Sequence, residues 1–187
     1  MKKRRRPRPA GRREPPQDKQ DADAIVEVTI ERILPGGAGL AHAEGRTLLV
    51  ALAAPGDRVR VRMERVQGRM AFASIVEIVS PSPQRIEPAC PYFGRCGGCD
   101  FQQLSYDAQL SSKVEIIRDC LRRIARIDFA GDIAIAGSPQ IWRYRSRAAW
   151  QHDPQRKRLG YFERASHRVC DVAECPVLVP GLEATLE

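Results

Sequence analysis

Apolar and charged residues alternate strictly in two stretches of the chain. In "IVEVTIERI", Val26, Val28 and Ile30 fall on one face with Glu27, Thr29 and Glu31 opposite; in "RVRVRMERV", Val59, Val61 and Met63 alternate with Arg58, Arg60 and Arg62. A period of two marks a strand with one face in a core. Between them, "LPGGAGLAHAEGR" supplies glycine turns, "TLLVAL" a further strand and "APGD" a tight turn, and afterwards "QGR" turns the chain into "MAFASIVEIV". Four or five short strands over residues 24–82 predict a small closed, OB-like β-barrel, because an open sheet of that size exposes its edges. "SPSPQRIEP" then reads as a stiff linker.

Further on the period changes. In "SYDAQLSSKVEIIRDCLRRIARI", Tyr106, Leu110, Val114, Ile117, Leu121 and Ile124 recur at spacings of three and four, which predicts a helix with that stripe buried and Ser105 as its N-cap. "IWRYRSRAAWQ" returns to alternation, "DPQRKRLG" turns, "YFERASHRVCDV" reads as paired strands, and "PGLEATLE" opens like another helix with no remainder, as in a fragment of something longer. The fold class expected is α+β: a disordered basic tail over 1–23, the barrel over 24–82, and a helix with an antiparallel sheet over 83–187.

Composition narrows the function. A length of 187 residues with 43% hydrophobic content suits one large or two small domains. No run of eighteen apolar residues and no apolar stretch behind the charged N-terminus is present, so a cytoplasmic protein without membrane contact is expected. The net charge of +8 is concentrated in residues 1–20, which hold nine Lys/Arg and two acids and suit phosphate binding without sequence preference. Two further patches are local. Arg58, Arg60 and Arg62 share one strand face as a ridge suited to phosphates, the alternative being a solvated face partly neutralised by Asp57 and Glu64. Residues 141–168 contain eight Lys/Arg and two acids, and Arg143, Arg145 and Arg147 alternate with Trp142, Tyr144 and Ser146. These six arginines are the candidate RNA contacts. Trp142 and Trp150 are expected in the core, and Tyr144 would stack on a base if the sheet exposed it.

The chemistry-bearing motif is "CPYFGRCGGC", in which Cys90, Cys96 and Cys99 follow C-x5-C-x2-C. Gly97 and Gly98 allow the backbone to curl so that sulfurs converge. Clustered thiols in an intracellular chain favour metal ligation over disulfides. Three ligands leave a tetrahedral centre one short, and Cys120, Cys170 and Cys175 are the candidates, ahead of His42, His152 and His167. Cys120 shares the helical stripe and reads as a small hydrophobe. Cys170 falls inside a strand pattern, whereas Cys175 precedes Pro176 in a loop that can aim it at a cluster, so Cys175 is preferred. Spacing leaves zinc and an iron–sulfur centre both open, although no second C-x2-C pair of the zinc-ribbon kind exists and the C-x3-C-x2-C of radical enzymes is not matched.

The segments "CPYFGRCGGCDFQQLSYDAQLSSKVEIIRDCLRRIA", "WRYRSRAAW" and "LGYFERASHRVCDVAECPVL", behind a strand-rich region with a "PGGAGLA" turn, resemble the RNA (uracil-5-)-methyltransferases that act on 23S ribosomal RNA. The resemblance implies that the barrel is a TRAM domain and that Cys90, Cys96, Cys99 and Cys175 hold a [4Fe-4S] cluster with a structural or RNA-recognition role. It further implies 23S rRNA as partner, 5-methyluridine as product and S-adenosylmethionine as methyl donor in the complete enzyme, with the chain acting as a monomer. The family's Rossmann-like S-adenosylmethionine domain and its nucleophilic cysteine are not recognisable. "GGAG" at 36–39 lacks the third glycine of a dinucleotide loop, so neither catalytic nor S-adenosylmethionine-binding residues are expected and the chain alone is expected to be inactive. The competing expectation is a stand-alone zinc-bound RNA-binding module without catalysis.

Overall fold

A computed structural model describes residues 23–186, so the basic tail over 1–22 lies outside the described residues. The first part is a six-stranded sheet built from β1 (Ile25–Thr29), β2 (Arg32–Ile33), β3 (Gly39–Ala43), β4 (Arg46–Val50), β5 (Arg58–Gln67) and β6 (Met70–Ser80), in the order β1-β5-β6-β4-β3-β2. Neighbours are antiparallel except β4 and β6, which run parallel. The alternation read from sequence holds along β5, where Val59, Val61, Met63 and Val66 are buried between exposed arginines. They meet Val28, Ile30, Ala41, Leu48 and Val50 in one core.

No ladder joins β1 to β2 among the described residues, so strand pairing does not close the expected barrel. Its two edges are instead successive pieces of one segment. At the break, the Ile30 N–H donates to the Asp57 carbonyl at 2.9 Å and the Glu31 N–H to the Leu40 carbonyl at 2.8 Å. The sheet also gains a strand in a stretch read as glycine turns: Gly39 pairs with Val50, and a Cβ there would lie 2.7 Å from the Ala53 side chain. Only glycine lets β3 sit so close to its neighbours.

The proline-containing stretch after β6 is pinned rather than free. Asp57 is fully buried; it accepts from the Ala54 N–H at 2.7 Å, from the Ser82 N–H at 2.9 Å and from the Arg85 Nη2 at 2.6 Å. It therefore faces inward, and its part in the alternative reading, neutralising the β5 arginines, does not hold. The Ile86 N–H donates to the Gln103 carbonyl, while the buried Gln103 amide donates to the Ala53 carbonyl at 3.0 Å.

Helix α1 (Tyr106–Cys120) starts at Ser105, whose hydroxyl accepts from the Ala108 N–H, and continues through a π-helical turn over Leu121–Ala125 to Arg126 at φ 59°. Its buried side chains are Ala108 and Ser112, with Ile116 partly covered, against Ile33, Ala54 and Leu104. The buried face is thus set by small residues, and the expected stripe is left outward at Ile117 (46% exposed) and Ile124 (79%). Beyond it a three-stranded antiparallel sheet runs β7 (Gln151–Asp153), β8 (Arg158–Phe162), β9 (Val169–Asp171), followed by the short helix α2 (Pro180–Glu183). The expected strand over 141–150 does not form. That segment lies beside residues 176–179 through isolated bonds, Arg143 N–H to the Pro176 carbonyl (2.9 Å) and Arg145 N–H to the Val177 carbonyl (2.8 Å).

Candidate functional site

The cysteine loop is a series of tight turns. The Phe93 N–H donates to the Cys90 carbonyl, the Cys96 N–H to the Tyr92 carbonyl at 2.8 Å, and the Gly98 N–H to the Cys96 sulfur at 3.4 Å. The left-handed residue is Gly94 (φ 89°), not Gly97 or Gly98. Gly97 serves close approach instead: its N–H donates to the Phe162 carbonyl at 2.9 Å, and a Cβ would meet that same oxygen. Arg164, unnoticed in the sequence, clamps the loop from beyond β8 by donating to the Asp100 carboxylate and the Cys99 carbonyl, both at 2.7 Å. The Tyr92 hydroxyl accepts from the Ala173 N–H at 3.1 Å, tying the loop to the approach to Cys175.

These ties bring Cys90, Cys96, Cys99 and Cys175 to the wall of a single small cavity, about 20 Å³ in volume, which Arg145 and Tyr161 also line. The Cys175 N–H is held by the Glu183 carboxylate at 2.9 Å. Cys170 is buried in β9 outside that cavity, its sulfur accepting from the Arg95 Nε at 3.2 Å. Cys120 sits at the far end of α1. His42 pairs with Glu31 at 2.6 Å and His167 packs edge-on against Phe162. Burial pushes the Cys96 thiol up to about 11 and raises Cys90 and Cys175 as well, with Arg145 working in the opposite direction on Cys175. Any metal group must therefore displace protons as it binds. Among the described residues no three His, Cys, Asp or Glu side chains are gathered closely enough to hold one metal ion.

The six candidate arginines separate. Arg58, Arg60 and Arg62 are exposed along β5, but Arg58 and Arg60 approach Glu27 at 3.5 Å and Arg60 pairs with Glu77 at 2.8 Å, which leaves Arg62 without an ion pair among the described residues. Arg143 and Arg147 are exposed, Arg143 in the left-handed region at φ 56°, a conformation costing a non-glycine residue roughly 1–2 kcal/mol. Arg145 is half-buried beside the cysteine cavity and the Tyr161 hydroxyl, so the expected sorting of charge to one side and aromatic bulk to the other does not occur. Trp150 packs on Tyr161 at 5.0 Å between ring centroids, Trp142 is half-buried, and Tyr144 is 54% exposed.

Comparison with known proteins places these features. Residues 26–84 match the family model described as tRNA (uracil(54)-C(5))-methyltransferase, TRAM domain. The chain is 38% identical over 164 residues to a 23S rRNA (uracil(1939)-C(5))-methyltransferase from Pectobacterium atrosepticum, covering 87% of this chain and 36% of that protein. It is 36% identical to the protein of the same description from Methylococcus capsulatus, over 84% of this chain and 36% of the relative. The chain thus spans about a third of the length of these curated relatives. Among solved structures, the Pyrococcus abyssi tRNA (uracil-54, C5)-methyltransferase in complex with S-adenosyl-L-homocysteine aligns with a TM-score of 0.56 at 28% identity, covering 85% of this chain and 34% of the other. No helix among the described residues is long and apolar enough to cross a membrane. Through residues 26–84, and with relatives that match most of its length, the chain carries the TRAM domain of the tRNA and rRNA uracil-C5-methyltransferase family.

Proposed function

We propose that the chain is the RNA-engaging, cluster-bearing part of an S-adenosylmethionine-dependent methyltransferase that forms 5-methyluridine in 23S rRNA. It works in the cytoplasm as a monomer, with residues 24–82 as the TRAM unit and 83–187 as the cluster-bearing unit. The observation that carries this reading is the gathering of Cys90, Cys96, Cys99 and Cys175 around one cavity, beside a family match whose relatives are named for uracil-C5 methylation of RNA. The donor set fits a [4Fe-4S] cluster: all four ligands are thiols, they border one cavity, and the Arg145 guanidinium offsets negative charge next to them. Bound there, the cluster supplies a covalent pin between the loop over 90–99 and the segment around Cys175. Methyl transfer itself is assigned to no residue of this chain. Arg58, Arg60, Arg62, Arg143 and Arg147 are the proposed phosphate contacts, with Arg145 reassigned to the cluster's surroundings.

Chemical analysis of anaerobically prepared protein tests the centre. About four irons with matching sulfide per chain are expected. One zinc without sulfide overturns the cluster. Cys96→Ala is expected to lose the iron and Cys120→Ala to keep it; equal loss in both overturns the ligand assignment.

A further inference from the structure

Next to the cysteine cavity, and sharing Cys99, Gln102 and Arg145 with it, a second hollow of about 360 Å³ opens between the start of α1 and the segment over 138–145. Its apolar wall includes Ile86 and Ile141, each 44% exposed, and Tyr144, 54% exposed. An aromatic ring this open is not spent on the core. Three polar groups reach the same hollow with capacity to spare. Lys113 and the side-chain amide of Gln140 make no hydrogen bond or ion pair among the described residues, and Gln109 uses only its N–H, donated to the Leu104 carbonyl at 3.1 Å. Tyr106, by contrast, is committed, its hydroxyl accepting from the Ser138 N–H at 2.6 Å.

We infer that this hollow receives one unpaired nucleotide of the RNA, with its base against Tyr144 and its edge read by the amides of Gln109 and Gln140. Lys113 meets the adjoining phosphate. The inference rests on the proposed RNA-binding function and names a site within it. An exposed π-face, free amides and an unpaired cation together are what a single-stranded base with its phosphate requires. An apolar peptide would leave Lys113 and both amides unpartnered, and a free phosphate would leave the aromatic wall unused. Charge complementarity points the same way, because Arg143 and Arg147 are exposed on the segment that carries Tyr144. Since Cys99 and Arg145 belong to both cavities, the cysteine centre forms one wall of the nucleotide site.

The test uses the whole chain as isolated, a fluorescein-labelled single-stranded RNA ten-mer of mixed sequence, and anisotropy over a range of salt. Tyr144→Ala is expected to weaken binding roughly ten-fold with an unchanged salt slope, and Tyr144→Phe to stay close to wild type. Lys113→Gln is expected to lower the slope by about one counterion. Trp142 also lines the hollow, so tryptophan emission gives an independent readout with Tyr144 left unmutated: RNA quenches the wild type, and Trp142→Phe removes the quenching. Wild-type affinity in the Tyr144→Ala variant, or quenching that survives Trp142→Phe, overturns the nucleotide site and leaves the functional reading standing. Failure of the wild type to bind RNA overturns both.

Discussion

Asp57 shows what a single position controls. Its carboxylate, fully buried, satisfies two backbone N–H groups and the Arg85 side chain, and Arg85 in turn donates to the Leu52 carbonyl at 3.0 Å. Removing one partner of such a pair strands the other's charge away from water, which costs about 3–5 kcal/mol. Asp57→Ala is therefore expected to lower the urea midpoint by that equivalent and to loosen the stretch over 82–86, read by hydrogen exchange at Ser82. Nothing in "APGDRV" distinguishes this aspartate from a surface acid; its role depends on an arginine 28 residues later. Cys175 is similar in kind. The Pro176 that follows it argued for a loop, which the structure has, but convergence on Cys90, Cys96 and Cys99 is a property of tertiary placement. Arg145 went unread for the same reason: alternation placed it with Arg143 and Arg147, whereas bonds to Val177 and Val179 turn it toward the cysteines.

Among elements, β5 was legible because an antiparallel strand with one face on a core must alternate, and the turns at Gly45 and Gly68 were legible because both take positive φ. Helix α1 was legible in its extent and cap but not in its face. Small residues such as Ala108 and Ser112 carry almost no hydrophobic signal, yet they let a helix backbone press closest to the sheet. Its far end is fixed by charge. Asp119 feels desolvation that would raise it, but Arg122 at 2.8 Å, Arg123 at 3.0 Å and Arg32 of β2 at 3.9 Å hold its carboxyl below its ordinary value of 3.8. A depressed carboxylate stabilises the fold above the unfolded value and loses that contribution as pH falls through the lower folded one. The urea midpoint of Asp119→Asn should therefore lie below wild type at pH 6, by an equivalent of about 0.5–1 kcal/mol, and the two should converge below pH 3.8.

At the scale of the whole molecule, the composite charge says less than its pairing. Glu27 and Glu77 occupy Arg58 and Arg60, so the β5 ridge offers phosphates mainly Arg62. RNA affinity should fall with salt, Arg62→Ala should reduce the log–log slope by about one, and Arg58→Ala should reduce it less. Equal slopes for wild type and Arg62→Ala would remove β5 from the interface.

The cysteine cavity is assembled from the loop at 90–99 and a residue far downstream, and this imposes an order in time. A ribosome adding about 5–20 residues per second releases Cys99 well before Cys175 exists, so three thiols wait on the order of ten seconds for the fourth. During that interval the nascent chain presents an incomplete, oxidisable trio. An inorganic core of the proposed kind would find its full set of thiols only after the segment that carries Cys175 has been made.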